Sequence, residues 1–209
     1  MLSGLFITFE GGEGAGKTTV LNRLAQRLEK ENYQVVTTRE PGGIPIAEKI
    51  RGIILDRSHT MMDARTEALL YAAARRQHLV EVVIPALEKN QIVLCDRFID
   101  SSLAYQGVGR GLGMEEVYQI NQFAIDGRMP DLTLFFDISP RDGLARIDHN
   151  KDREKNRLDV EALSFHQQVY DAYQQLIEKF PQRIKKIDAN SDIINVENAA
   201  YKVLEGFLP

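Results

Sequence analysis

Residues 5–30 read LFITFEGGEGAGKTTVLNRLAQRLEK, and the points where this stretch changes character decide the fold. Leu5 to Glu10 is an apolar run of strand length. From Thr19 to Leu28, the residues Val20, Leu21, Leu24, Ala25 and Leu28 recur at the spacing of an amphipathic helix. Between the two lies GGEGAGKT, residues 11–18, which fits G-x-x-x-x-G-K-[ST] in the strand-to-helix setting that gives the motif its meaning. Gly11, Gly14 and Gly16 can take dihedrals closed to other residues. The N–H groups of Gly11, Gly12, Glu13, Gly14, Ala15 and Gly16 can then turn inward around polyphosphate oxygens at the positive end of the helix. Lys17 is expected on the β- and γ-phosphates, the Thr18 hydroxyl on Mg2+, and Thr19 beside it. A glycine-rich turn without a ligand needs neither Lys nor Thr directly after its last glycine.

The chain has 209 residues, 44% of them apolar, which suits one α/β domain with a core of its own. The net charge of −4 assigns any grip on phosphate to local arginine clusters and argues against a nucleic-acid partner. The sequence has no apolar run of membrane-spanning length and no signal-like N-terminus, so a cytoplasmic protein without a membrane partner is expected. The single cysteine, Cys95, excludes an internal disulfide; within the run IVLC it reads as a buried strand residue.

Further strands are expected at 34–38, 91–95, 132–138 and 184–188, with helical patterns between them. The fold class is α/β, a P-loop NTPase-type three-layer fold with a five-stranded parallel sheet and helices on both faces. Residues 64–89 read as one helix, with Asp63 as N-cap and a kink at Pro85. REPGGIPI around Arg39 and GVGRGLG around Arg110 read as glycine-rich loops, and residues 148–159, DHNKDREKNRLD, as a polar segment.

Ligands of open parallel sheets bind beyond the carboxyl ends of the strands, where Asp96-Arg97 should lie beside the phosphate loop. Asp96 could hold a water on Mg2+ and Arg97 could touch a transferring phosphate; the alternative is an ion pair capping the next helix. Tyr71 and Arg75, four apart on a helix, can hold a flat base by stacking and hydrogen bonding. Ser102 and Gln106 share a face in the same way, and a glutamine amide offers the donor and acceptor that a pyrimidine edge needs. Tyr71 could equally be a core aromatic with its hydroxyl at the surface.

Taken together, FEGGEGAGK, TREPGG, LLYAAARRQH, CDRFIDSSLAYQG and NRLD resemble the bacterial thymidylate kinases, in order and over nearly the whole chain. The resemblance implies phosphorylation of dTMP to dTDP by ATP with Mg2+, and a homodimer. It implies that Glu13 meets the sugar 3'-OH, that Arg39 and Arg51 lie near the dTMP phosphate, that Tyr71 stacks on thymine, and that Arg75 and Gln106 bond its edge. It makes residues 148–159 a lid. Some members carry an arginine at the place of Gly14, whereas others supply it from the lid; Gly14 resembles the second kind, with Arg153 or Arg157 as the supplier. Arg146 resembles the residue that packs on adenine, and Ala189 to Ser191, Asn190 included, the loop along its other side. Tyr71 stands where Phe is frequent, and Phe98 where Tyr or His is usual.

A GTPase-like switch is the reading from another class, but D-x-x-G is absent and Asn150-Lys151-Asp152-Arg153 only approaches N-K-x-D. A kinase for a nucleoside or another monophosphate is nearer. The additional arginines favour an acceptor that already carries phosphate, because a neutral nucleoside leaves them unpaired.

Overall fold

The structure is a computed structural model and describes residues 4–149 and 157–208. In chain order it runs β1 (Leu5–Glu10), α1 (Lys17–Lys30), β2 (Val35–Arg39), α2 (Pro45–Leu55), α3 (Ala64–His78), α4 (Ile84–Glu88), β3 (Ile92–Asp96), α5 (Ile99–Ser102), α6 (Met114–Ile125), β4 (Leu132–Asp137), α7 (Pro140–His149), α8 (Leu163–Lys179), β5 (Ile184–Asp188) and α9 (Ile193–Glu205). The five strands are all parallel, as the sequence predicts, and they lie in the order β2-β3-β1-β4-β5.

The two-residue period of the strands divides the apolar runs between two cores. Phe6, Val93, Cys95 and Phe135 face one layer with Leu103, Val117, Val169 and Tyr173. Ile7, Phe9, Leu94, Leu134 and Phe136 face the other with Val20, Leu24 and Leu28 of α1 and Val196 and Leu204 of α9. Cys95 is fully buried, as expected of a central strand.

Asp63 caps α3, its carboxylate accepting from Arg65 and Thr66 N–H at 3.0 Å each. The predicted helix 64–89 is interrupted, but not by a kink at Pro85: a π-helical turn, Leu79–Val83, precedes the proline, which sits in the first turn of α4. Pro is accepted there because the turn before it has already left the α-helical bonding pattern. Two expected loops carry more helix than glycine content suggests. Pro45-Ile46 of REPGGIPI opens α2, and the start of GVGRGLG closes a second π-helical segment, Leu103–Gly109.

Parallel register brings distant residues to one level. Phe9 pairs with Asp96 and Arg39 with Asp96, so the loops leaving β1, β3 and β2 open side by side.

Candidate active site

The phosphate loop has the backbone that its glycines predict: φ is 139° at Gly11, 71° at Gly14 and 81° at Gly16. At Gly14 a Cβ would lie 2.0 Å from the carbonyl oxygen of Gly143, so the loop rests directly on the backbone of α7. Lys17 is buried and its Nζ folds over the loop, donating to the carbonyls of Gly11 at 3.1 Å and Gly12 at 2.8 Å. Burial, then the charge of Arg97, push its pKa down to about 8. A polyphosphate in the loop reverses that penalty.

Asp96 and Arg97 do not pair with each other. The Thr18 hydroxyl donates to Asp96, placing both sequence-predicted Mg2+ ligands together. Arg97 has a left-handed backbone, φ 68°, with its N–H on the Phe9 carbonyl at 3.0 Å. Its guanidinium turns to Glu13 at 2.6 Å, the Gly11 carbonyl at 3.1 Å and Ser101 Oγ at 3.2 Å. The Tyr105 hydroxyl donates to the same Glu13 oxygen at 3.1 Å.

Glu10, which the sequence reading missed, fixes that turn. Its buried carboxylate accepts from Phe98 N–H at 2.8 Å, Ser101 N–H at 3.3 Å, Ser101 Oγ at 2.6 Å and Tyr173 Oη at 2.7 Å. Burial, then the Asp100 charge, push it up to about 7.

One cleft of about 480 Å³ runs from the loop, Glu13 to Thr19, past Asp96 and Arg97 to Arg39, Arg51, Tyr71, Arg75, Ser102 and Gln106. Arg39 is held by Glu48 at 2.7 and 2.9 Å. Arg51 donates to the Pro41 carbonyl at 3.0 Å and, among the described residues, forms no ion pair. Burial, then the charge of Arg39, lower its pKa, so an anion between the two relieves both. Tyr71 is buried with its phenol pushed up, first by burial and then by Glu67.

Arg75 is fully buried, with its Nε on Glu40 at 2.7 Å and one terminal nitrogen on Ser102 Oγ at 3.1 Å and on Asn121. Glu40 is held in turn by His78 Nδ1 at 2.9 Å. Burial works to raise the Glu40 pKa, but Arg75 and His78 together override it and the net shift is downward. Removing one member of such a pair costs about 3–5 kcal/mol, so Arg75 is fixed before any ligand arrives. Gln106 gives its amide nitrogen to Glu67 at 2.8 Å.

At the other end, Arg146 reaches the Ala189 carbonyl at 3.0 Å, which brings together the two sides of the expected adenine slot. Asn190 is tied to Asp188 Oδ1 through its N–H at 2.9 Å and its side-chain amide at 2.8 Å. Of the two arginines expected in a lid, Arg153 lies outside the described residues. Arg157 is engaged toward the acceptor end, with its Nε on the Ile54 carbonyl at 2.8 Å and a terminal nitrogen on Glu67. Tyr105, Glu40 and Glu67 went unread because each is recognised by a partner more than 35 positions away, a relation the chain order does not contain.

The family described as thymidylate kinase matches residues 9–200. The chain is similar to the thymidylate kinase of Oceanobacillus iheyensis, 61% identical over 207 residues that cover 99% of this chain and 92% of that protein. It is similar to the thymidylate kinase of Clostridium novyi, 56% identical over all of both chains. Among solved structures it resembles the crystal structure of thymidylate kinase from Ehrlichia chaffeensis, with a TM-score of 0.78 and 35% identity over 97% of this chain and 99% of that one. With the family matched from strand β1 into helix α9 and relatives of this identity along their whole length, the chain belongs to the thymidylate kinase family.

Proposed function

We infer that this chain transfers the γ-phosphoryl group of ATP to dTMP, giving dTDP and ADP. One observation carries the reading: a single cleft joins the Lys17 loop to an arginine-lined pocket that ends at Tyr71, Arg75 and Gln106. Phosphoryl transfer asks for positioning and charge neutralisation more than for covalent chemistry. The loop amides and Lys17 take the donor phosphates, with Arg146 and the 189–190 loop flanking the adenine. Arg39 and Arg51 take the acceptor phosphate and Arg97 meets the group in transit. Tyr71 stacks on the base, Arg75 and Gln106 bond its edge, and Glu13 meets the sugar hydroxyl. The acceptor is already an oxyanion and needs no general base.

Mg2+ fits the paired oxygens of Thr18 and Asp96, hard donors of the kind that ion takes together with substrate phosphates; when bound it neutralises charge on them. Residues 148–159 act as the lid and supply an arginine. The working form in this reading is a cytoplasmic homodimer with no nucleic-acid partner. Among the described residues no helix is long and apolar enough to cross a membrane.

The test is ADP release with ATP and Mg2+ across dTMP, thymidine, CMP and AMP. Turnover of dTMP should far exceed that of the others. Thymidine used as well as dTMP overturns the acceptor assignment, because the arginines around the phosphate then do nothing.

A further inference from the structure

Glu67 stands beside the base-reading end of the cleft, in the first turns of α3, and only 1% of it is exposed. Three side chains converge on its carboxylate: Gln106 Nε2 at 2.8 Å and Arg110 Nε at 3.3 Å on one oxygen, and Arg157 on the other. Burial alone drives such a group toward its neutral form. Here the bonds from Arg157 and Gln106 and the charge of Arg110 override it and hold the carboxyl below its usual range. An ionised carboxylate only accepts hydrogen bonds. The two ends of the Gln106 amide are therefore not equivalent: the NH2 group must turn to Glu67, and the carbonyl is left for whatever enters the cleft that Gln106 lines.

We propose that Glu67 is a specificity-determining positioning residue, which locks the Gln106 carbonyl toward the acceptor base so that the site selects pyrimidines with an N3–H donor and rejects those with an N3 acceptor. The inference rests on the reading that Gln106 faces the base. Thymine and uracil present N3–H to that carbonyl, whereas cytosine sets a lone pair against it. A free glutamine amide would rotate by half a turn and serve either edge. Locked, it leaves the wrong base with two opposed acceptors in a desolvated site, the arrangement by which buried polar groups discriminate most strongly.

The experiment compares kcat/KM for dTMP, dUMP and dCMP in the wild type, Glu67→Gln and Gln106→Ala. Glu67→Gln keeps the shape but offers either an acceptor or a donor, so Gln106 can turn. The preference for dTMP over dCMP should fall by about tenfold or more. The preference for dTMP over dUMP, which share the N3–H, should stay where it is. A uniform loss on all three substrates, or an unchanged dTMP to dCMP ratio, overturns the role of Glu67. Gln106→Ala separates the two levels: if it leaves every ratio unchanged, Gln106 does not read the base and the underlying assignment fails with the proposal.

Side-chain amide NMR of the wild type gives an answer that does not depend on a folded variant. One Gln106 NH2 proton should be shifted downfield and protected from exchange both before and after dTMP binds. Loss of that protection on binding, which would mean that the amide turns over, overturns the proposal.

Discussion

Burial sets the chemistry of two side chains at the head of the cleft in opposite senses. Glu10 is pushed up to about 7 and Lys17 down to about 8, in both cases chiefly because the charged form is out of water. As a carboxylate Glu10 accepts three hydrogen bonds from the segment that carries Arg97 and a fourth from the Tyr173 hydroxyl of α8. Protonation turns one acceptor into a donor, so that segment loosens as pH falls through about 7. Lys17 loses its charge as pH rises through about 8, weakening its hold on ATP. The expected profile of kcat/KM for ATP is therefore a narrow bell between these values. Glu10→Gln should lower the plateau and abolish the acid limb, and a profile flat through both values contradicts the scheme. In kcat the alkaline limb should move upward, because bound polyphosphate restores the lysine's proton. Of the arginines that line the cleft, Arg75 is singled out by helical spacing and Arg97 by its place after a strand, whereas Arg39, Arg51 and Arg146 come from the family resemblance. The carboxylates Glu10, Glu40 and Glu67 are not singled out, since their partners lie 35 or more residues away along the chain.

Helical spacing read at 3.6 residues per turn located Tyr71 with Arg75 correctly, because α3 is regular there. It fell short at 101–109. Tyr105 and Gln106 are adjacent in sequence yet both line the cleft. The π-helical segment Leu103–Gly109 widens the turn, so two neighbouring positions share one face, and apolar periodicity carries no sign of that. Of the two arginines proposed to serve from a lid, Arg157 can be placed. Arg157 is occupied by Glu67 and the Ile54 carbonyl, which favours Arg153 as the residue that meets the transferring phosphate. Arg153→Ala should lower kcat by about 10³-fold with near-normal dTMP affinity by calorimetry, as loss of an arginine finger does. Arg157→Ala should act mainly on KM for dTMP. If the double substitution keeps the wild-type kcat, residues 148–159 contribute nothing to catalysis.

The order β2-β3-β1-β4-β5 collects residues from Glu13 to Leu158 around one cleft; the alternation of strands and helices points to a parallel sheet but not to the order of its strands. Nor does it show how copies of the chain associate. Ile46 and Ile53 on α2, Leu69 on α3 and Phe123 on α6 all point outward, Phe123 with 91% of its surface exposed. Exposed apolar side chains on these helices are what the proposed homodimer would cover. Sedimentation should give twice the chain mass for the wild type and a shift toward the single chain for Phe123→Asp. A monomeric wild type at assay concentrations removes the dimer from the scheme.

The contact of Gly14 with Gly143 carries a consequence for replacement. A Cβ at Gly14 would lie 2.0 Å from the Gly143 carbonyl oxygen, and a Cβ at Gly143 would lie 2.2 Å from that of Glu13. Each glycine holds the other in place, because any side chain at either site forces two backbones apart. An arginine at position 14 therefore lies beyond the reach of one replacement that leaves α7 where it is. A replacement at position 14 unseats the phosphate loop unless a second change draws α7 away. Supply of the arginine from residues 148–159, as proposed, is the arrangement that two missing side chains leave undisturbed.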